Sequence, residues 1–93
     1  MIQFLVHDTA DTVGVAVVDI AAGTQLTGRD LSTNKPLKAT SAQKIPLGHK
    51  LALRDLAVGD TAIKYGCEIG KVVKPIKAGQ LVHVHNLKTK RWA

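Results

Sequence analysis

The stretch IPLGHKLALRDL, Ile45 to Leu56, has a spacing that recurs in the chain as IAAGTQLTGRDL, Ile20 to Leu31, and IKAGQLVHVHNL, Ile76 to Leu87. In each copy an isoleucine is followed three residues later by glycine, three further by Leu or Val, and five further by leucine. A looser copy, LAVGDTAI, runs from Leu56 to Ile63. The copies are irregularly spaced, which excludes a solenoid array. The physical reading is a repeated tight turn. An apolar residue enters the core, the glycine supplies the positive φ of the turn, and an apolar strand leaves. Pro46 stands where such a turn accepts proline. Short strands, glycine turns and little helical periodicity predict a mostly β domain. LALRDL, Leu51 to Leu56, leaves room for one helical turn at most.

Working outward, FLV at Phe4 to Val6 and VGVAVV at Val13 to Val18 flank a polar turn, His7 to Thr12. This predicts a hairpin or the start of a meander. The second run is either covered on both faces or alternates small with large residues. Ser32 to Lys44 is polar and contains Pro36, and is expected as an exposed hairpin or loop.

With 93 residues the chain makes a single domain, residues 1–93. Its 45% hydrophobic content excludes disorder, and with only Phe4, Tyr65 and Trp92 as aromatics the core must rest on Val, Ile, Leu and Ala. One cysteine, Cys67, excludes an internal disulfide framework and fits a reducing compartment. The N-terminus lacks the features of a signal peptide, and no apolar run reaches the roughly 18 residues of a membrane span. A cytoplasmic protein that makes no membrane contact is expected.

The net charge is +6. From Leu31 onward there are twelve Lys and Arg and only three acids. An electropositive surface of this kind suits an anionic small molecule or, less well, nucleic acid. The tail LKTKRW, Leu87 to Trp92, lacks the interleaved aromatics of a base-stacking platform, which argues against nucleic acid. Trp92 between cations fits an interface anchor or a frayed end.

The third copy of the repeat differs chemically from the others. Where the first two have Arg29-Asp30 and Arg54-Asp55, it has His85-Asn86, and His83 replaces Thr27 and Ala52. On a strand, His83 and His85 would share a face. Two adjacent imidazoles can hold a metal or, when protonated, clamp a carboxylate. The same pair also fits a polar, partly exposed strand face. His49 and Lys50 follow Gly48, a placement that suits either anion binding or a solvated turn. Lys64 and Tyr65 can serve as acid, base or anion contacts, or as a surface lysine beside a packed ring. Cys67 beside Glu68 is poorly placed for a nucleophile.

Three of these segments, IPLGHKLALRDL, IKYGCEIG (Ile63 to Gly70) and HVHNLKTKRW (His83 to Trp92), resemble in order and spacing the altronate and galactarate dehydratase family. Within it, they resemble most the small (alpha) subunits of its sulfolactate sulfo-lyases. VHDTADTVGVAVVDIAAG, Val6 to Gly23, fits the same pattern, so the resemblance spans the chain. It implies an SAF-type domain with a β-clip fold, a long hairpin folded back on itself. It also implies a lyase acting by β-elimination on an acidic 2-hydroxy substrate, sulfolactate or a sugar acid. Many members carry a larger catalytic region on the same chain. Here that region is expected as a separate large subunit, which would hold most of any divalent iron cofactor (Fe2+). By motif, the resemblance implies His83 and His85 as catalytic or metal-facing groups. His49, Lys50, Lys64, Tyr65 and Asn86 are implied as substrate contacts. A stand-alone SAF-type domain that binds a sugar acid or a protein without chemistry is the alternative.

Overall fold

The repeated turns form as the spacing predicts. In the computed structural model, which describes residues 2–64, 66–83 and 85–88, the four repeat glycines all have positive φ: Gly23 at 76°, Gly48 at 85°, Gly59 at 93° and Gly79 at 85°. Backbone hydrogen bonds close three of the turns, from His49 to Pro46, Asp60 to Ala57 and Gln80 to Lys77, each at 3.0 Å. Tyr65 and Trp92 lie outside the described residues.

The copies work in pairs. Ile20 and Ile45 exchange two backbone hydrogen bonds, of 2.9 and 3.0 Å, and Leu56 and Ile76 do the same at 2.7 and 2.9 Å. An aspartate precedes the first member of each pair and binds the other turn: Asp19 accepts the Leu47 N–H and Asp55 the Ala78 N–H, both at 2.9 Å. Each pair closes the base of one hairpin. The first hairpin is β3 (Gln25–Asp30) with β4 (Lys35–Thr40), and the second is β6 (Thr61–Lys64) with β7 (Cys67–Val72). The looser copy at Leu56 is therefore a full structural partner of the copy at Ile76.

The other strands are β1 (Phe4–Val6), β2 (Val13–Ala16), β5 (Lys50–Ala52), β8 (Leu81–Val82) and β9 (Leu87–Lys88). One sheet has the order β4-β3-β1-β2-β5-β8 and the other β6-β7-β9. All neighbours are antiparallel except β1 and β3, which pair in parallel. The described residues contain no helix, so LALRDL is strand followed by bend, and none offers a helix long and apolar enough to cross a membrane. Part of Ser32 to Lys44 is ordered as β4, an edge strand whose residues are mostly exposed.

Residues on opposite faces of the large sheet build two cores. One contains Phe4, Val6, Ala16, Ile20, Leu26, Ile45 and Leu51. The other contains Val13, Ala52 and Val82, covered from the small sheet by Ala62, Val72 and Leu87. β2 thus meets both expectations. It is covered on both faces, and its small residues Gly14 and Ala16 leave space on one side for the Phe4 ring, beside which Gly28 of β3 makes a second gap. A Cβ on Gly28 would overlap that ring.

The β3–β4 turn is held by Asp30, whose carboxylate accepts the Ser32 hydroxyl at 2.6 Å and the Ser32 N–H at 2.9 Å. The Ser32 hydroxyl bond is the main reason its pKa is lowered, with the Ser32 and Thr33 amides adding to the effect against an opposing desolvation. A carboxyl whose folded pKa is lowered stabilises the fold above its unfolded value of about 3.8, and that stability is lost as pH falls through the folded value. Acid unfolding followed by circular dichroism should therefore begin below about pH 4, and D30N should be less stable at pH 7 with a flatter profile through that range.

Candidate functional site

Three of the four turns use the side chain after the glycine to satisfy the turn itself. Thr24 donates to the Ala21 carbonyl at 2.7 Å, Asp60 accepts the Ala57 N–H at 2.8 Å, and Gln80 accepts the Lys77 N–H at 2.9 Å. At the second turn the corresponding residue is Pro46, which has no N–H to satisfy. The side chain of His49 is thereby released from that duty. Only its backbone is engaged in the turn, with the carbonyl accepting the Ala16 N–H at 2.9 Å. Its Nδ1 is buried with no hydrogen-bond partner among the described residues. The ring lies 5.1 Å from that of His83, tilted by 50°.

Lys50 begins β5 between Val15 of β2 and Val82 of β8, on the face that packs toward the small sheet. It is half-buried. Desolvation lowers its pKa, and the charge of Lys64 lowers it further. Lys64 ends β6 and, two residues after buried Ala62, points to the same side. Lys50 and Lys64 therefore lie at one end of the gap between the sheets, and the His49 and His83 rings meet at the adjoining end of β5 and β8, one residue before Lys50 and one residue after its partner Val82.

Lys50 is held charged at a cost. Because its folded pKa lies below the ordinary 10.5, the unfolded chain binds more protons between those values, and stability rises with pH across that window. K50M removes the buried charge and keeps much of the stem. It should raise Tm rather than lower it, as read from a thermal melt at neutral pH. The rise should be accompanied by loss of function.

The strand reading of His83 and His85 needs correction. β8 stops at Val82, and His85 and Asn86 lie in a turn, with the Asn86 and Leu87 N–H groups both reaching the His83 carbonyl, at 3.1 and 2.9 Å. Asn86 is the cause. Its side chain accepts the His83 N–H at 2.9 Å and donates to the Leu81 carbonyl at 2.7 Å, a local bonding pattern that competes with strand pairing. Asn86 is 5% exposed, so the structure places it beneath the turn as a brace for His83. His85 is exposed on the same turn, and the imidazole that His83 meets is that of His49.

A loop that the sequence presented only as a polar turn also adjoins this end. Asp11, 8% exposed, accepts the Gly66 N–H at 2.8 Å and the His7 and Asp8 N–H groups at 3.1 and 3.2 Å. Its one sequence signal was a pair of aspartates, Asp8 and Asp11, between two apolar runs. Two surface depressions, of about 490 and 400 Å³, lie elsewhere: one along β3 and β4 at Gln25 to Thr27 and Lys38 to Thr40, the other around Asp19 to Ala22.

Divalent iron fits this donor set poorly. No group of three or more His, Cys, Asp or Glu side chains suited to a metal occurs among the described residues. The two lysine ammonium groups, Lys50 and Lys64, repel a cation and attract an anion.

The description of altronate/galactarate dehydratase SAF domains matches residues 2–90, nearly the whole chain. The chain belongs to that family. The mostly β architecture, with no helix among the described residues, is consistent with the SAF-type fold. Within the family, the alpha subunit of (2R)-sulfolactate sulfo-lyase from Chromohalobacter salexigens is 52% identical over 92 residues, 98% of each chain. The same subunit from Paracoccus pantotrophus is 51% identical over 61 residues, 66% of this chain and 91% of that one. Altronate dehydratase of Escherichia coli is 38% identical over 87 residues, 94% of this chain but 16% of the dehydratase. The SAF family therefore includes short chains named as lyase subunits and segments of much longer dehydratases.

Proposed function

We propose that this chain is the small subunit of a cytoplasmic lyase that eliminates sulfite from sulfolactate, and that it contributes an anion-binding cluster to a pocket completed by a large subunit. The observation that carries the reading is the meeting of the His49 and His83 rings, 5.1 Å apart, at the strand ends next to Lys50, whose half-buried side chain feels the charge of Lys64. The near full-length match to a sulfo-lyase alpha subunit supports the choice of substrate and the two-chain organisation.

The chemistry asks for these groups. Sulfolactate carries a carboxylate and a sulfonate. A base removes the Cα proton, negative charge builds on the carboxylate, and the Cα electron pair expels sulfite from Cβ. The enol left behind becomes a 2-oxo acid, and the abstracted proton is returned to solvent or to the departing sulfite. Lys50 and Lys64 hold the two anionic ends, and the charge of Lys50 opposes the build-up on the carboxylate. His49 and His83 serve proton transfer, as imidazoles can near neutral pH. His85, exposed on the same turn as His83, and Tyr65 are further candidate contacts. Iron, where used, is assigned to the large subunit.

The test is co-purification of the tagged chain with its partner, followed by assay of the complex on sulfolactate and altronate. A stoichiometric complex releasing sulfite supports the reading. Water elimination from altronate without sulfite release would reassign the substrate, and a folded chain that captures no partner would indicate a stand-alone binding domain.

A further inference from the structure

We infer that Asp11 is a positioning residue whose buried carboxylate holds Lys64 beside Lys50. The inference rests on the lyase reading for its kinetic test. Two lysines brought together repel each other, and the pKa of Lys50 is lowered first by desolvation and then by the charge of Lys64. Something must therefore hold the end of β6 in place. The register of the second hairpin shifts at Ala62/Ile63, which bends it near its tip. The bent end is then tied down from the 7–12 loop. Thr12 and Ile63 exchange two hydrogen bonds, Thr12 N–H to the Ile63 carbonyl at 2.9 Å and Ile63 N–H to the Thr12 hydroxyl at 3.0 Å. Asp11 adds the 2.8 Å bond to Gly66, two residues beyond Lys64, while its other oxygen gathers the His7 and Asp8 amides. Gly66 has φ of 69°, and a Cβ there would lie 3.1 Å from the Asp8 carboxylate, so hairpin tip and loop fit closely. An asparagine at position 11 has one oxygen for these donors on two sides and turns an NH2 toward one of them.

The experiment is a double-mutant cycle in the reconstituted complex, with D11N, K64M and the double variant. D11N should raise KM for sulfolactate about tenfold, a loss of about 1.4 kcal/mol, with kcat changed by less than about twofold. The double variant should be no worse than K64M alone, because Asp11 acts through Lys64. Multiplicative losses, or an unchanged KM in D11N, would overturn the inference. If D11N fails to fold, G66A disturbs the same junction from the other side and should give the same KM signature and the same lack of additivity with K64M. If the wild-type complex does not turn over sulfolactate, the lyase reading has failed on its own. The inference is then tested by titrating the isolated full-length chain with sodium sulfate and following backbone amide shifts by NMR. A response at Lys64 that D11N abolishes supports it, and a response that D11N leaves intact overturns it.

Discussion

Replacing His49 by glutamine should lower kcat of the reconstituted complex about 10²- to 10⁴-fold, the range that a positioned acid or base contributes. The chain should stay folded, because the bonds His49 makes within its turn, to Pro46 and Ala16, use only backbone atoms. Glutamine keeps a polar side chain but cannot exchange a proton near neutral pH. The companion substitution Gln80→Ala should behave oppositely. Gln80 accepts the Lys77 N–H at 2.9 Å, so its loss leaves a turn donor unsatisfied and lowers Tm. Activity measured well below that Tm should change little. Thermal melts and steady-state kinetics on the two variants separate a residue that serves the site from its counterpart that serves the fold.

The largest expected effect on stability is at Gly79. Two costs combine there. Its φ of 85° disfavours any residue with a Cβ by about 1–2 kcal/mol. A Cβ would also overlap the Thr40 carbonyl oxygen and lie 3.0 Å from the Ala42 nitrogen, so the backbone of the first hairpin must move. Gly48, with the same φ, has nothing within 4 Å of the added atom. G48A should therefore lose only about 1–2 kcal/mol. G79A should lose more than about 3 kcal/mol, a large share of the roughly 5–15 kcal/mol that stabilises a small domain. Urea unfolding of the two variants compares these costs directly. Equal losses would show that the close approach of Gly79 to the first hairpin has no energetic consequence.

The turns were legible in the sequence because a positive-φ turn between apolar residues requires glycine at a fixed place. Which copies pair was not, because Ile20 with Ile45 and Leu56 with Ile76 meet through backbone groups that carry no sequence mark. The parallel pairing of β1 with β3 was hidden for the same reason. At the site, His49, Lys50, Lys64 and His83 were all visible as candidates. The alternation rule, however, coupled His83 to His85, and it holds only while the strand continues. Asn86 ends the pairing by taking the His83 N–H and Leu81 carbonyl for its own side chain. The role of Asp11 was invisible because its hydrogen bond to Gly66 joins residues 55 positions apart.

The central claim is that this chain contributes groups to a lyase pocket. The most direct measurement is sulfite release from sulfolactate by the large subunit alone, with the wild-type chain, and with the His49→Gln chain. The account predicts turnover only with the wild-type chain, and a complex with His49→Gln that assembles but is nearly inactive. Equal turnover by the large subunit alone, or full activity with His49→Gln, would contradict it.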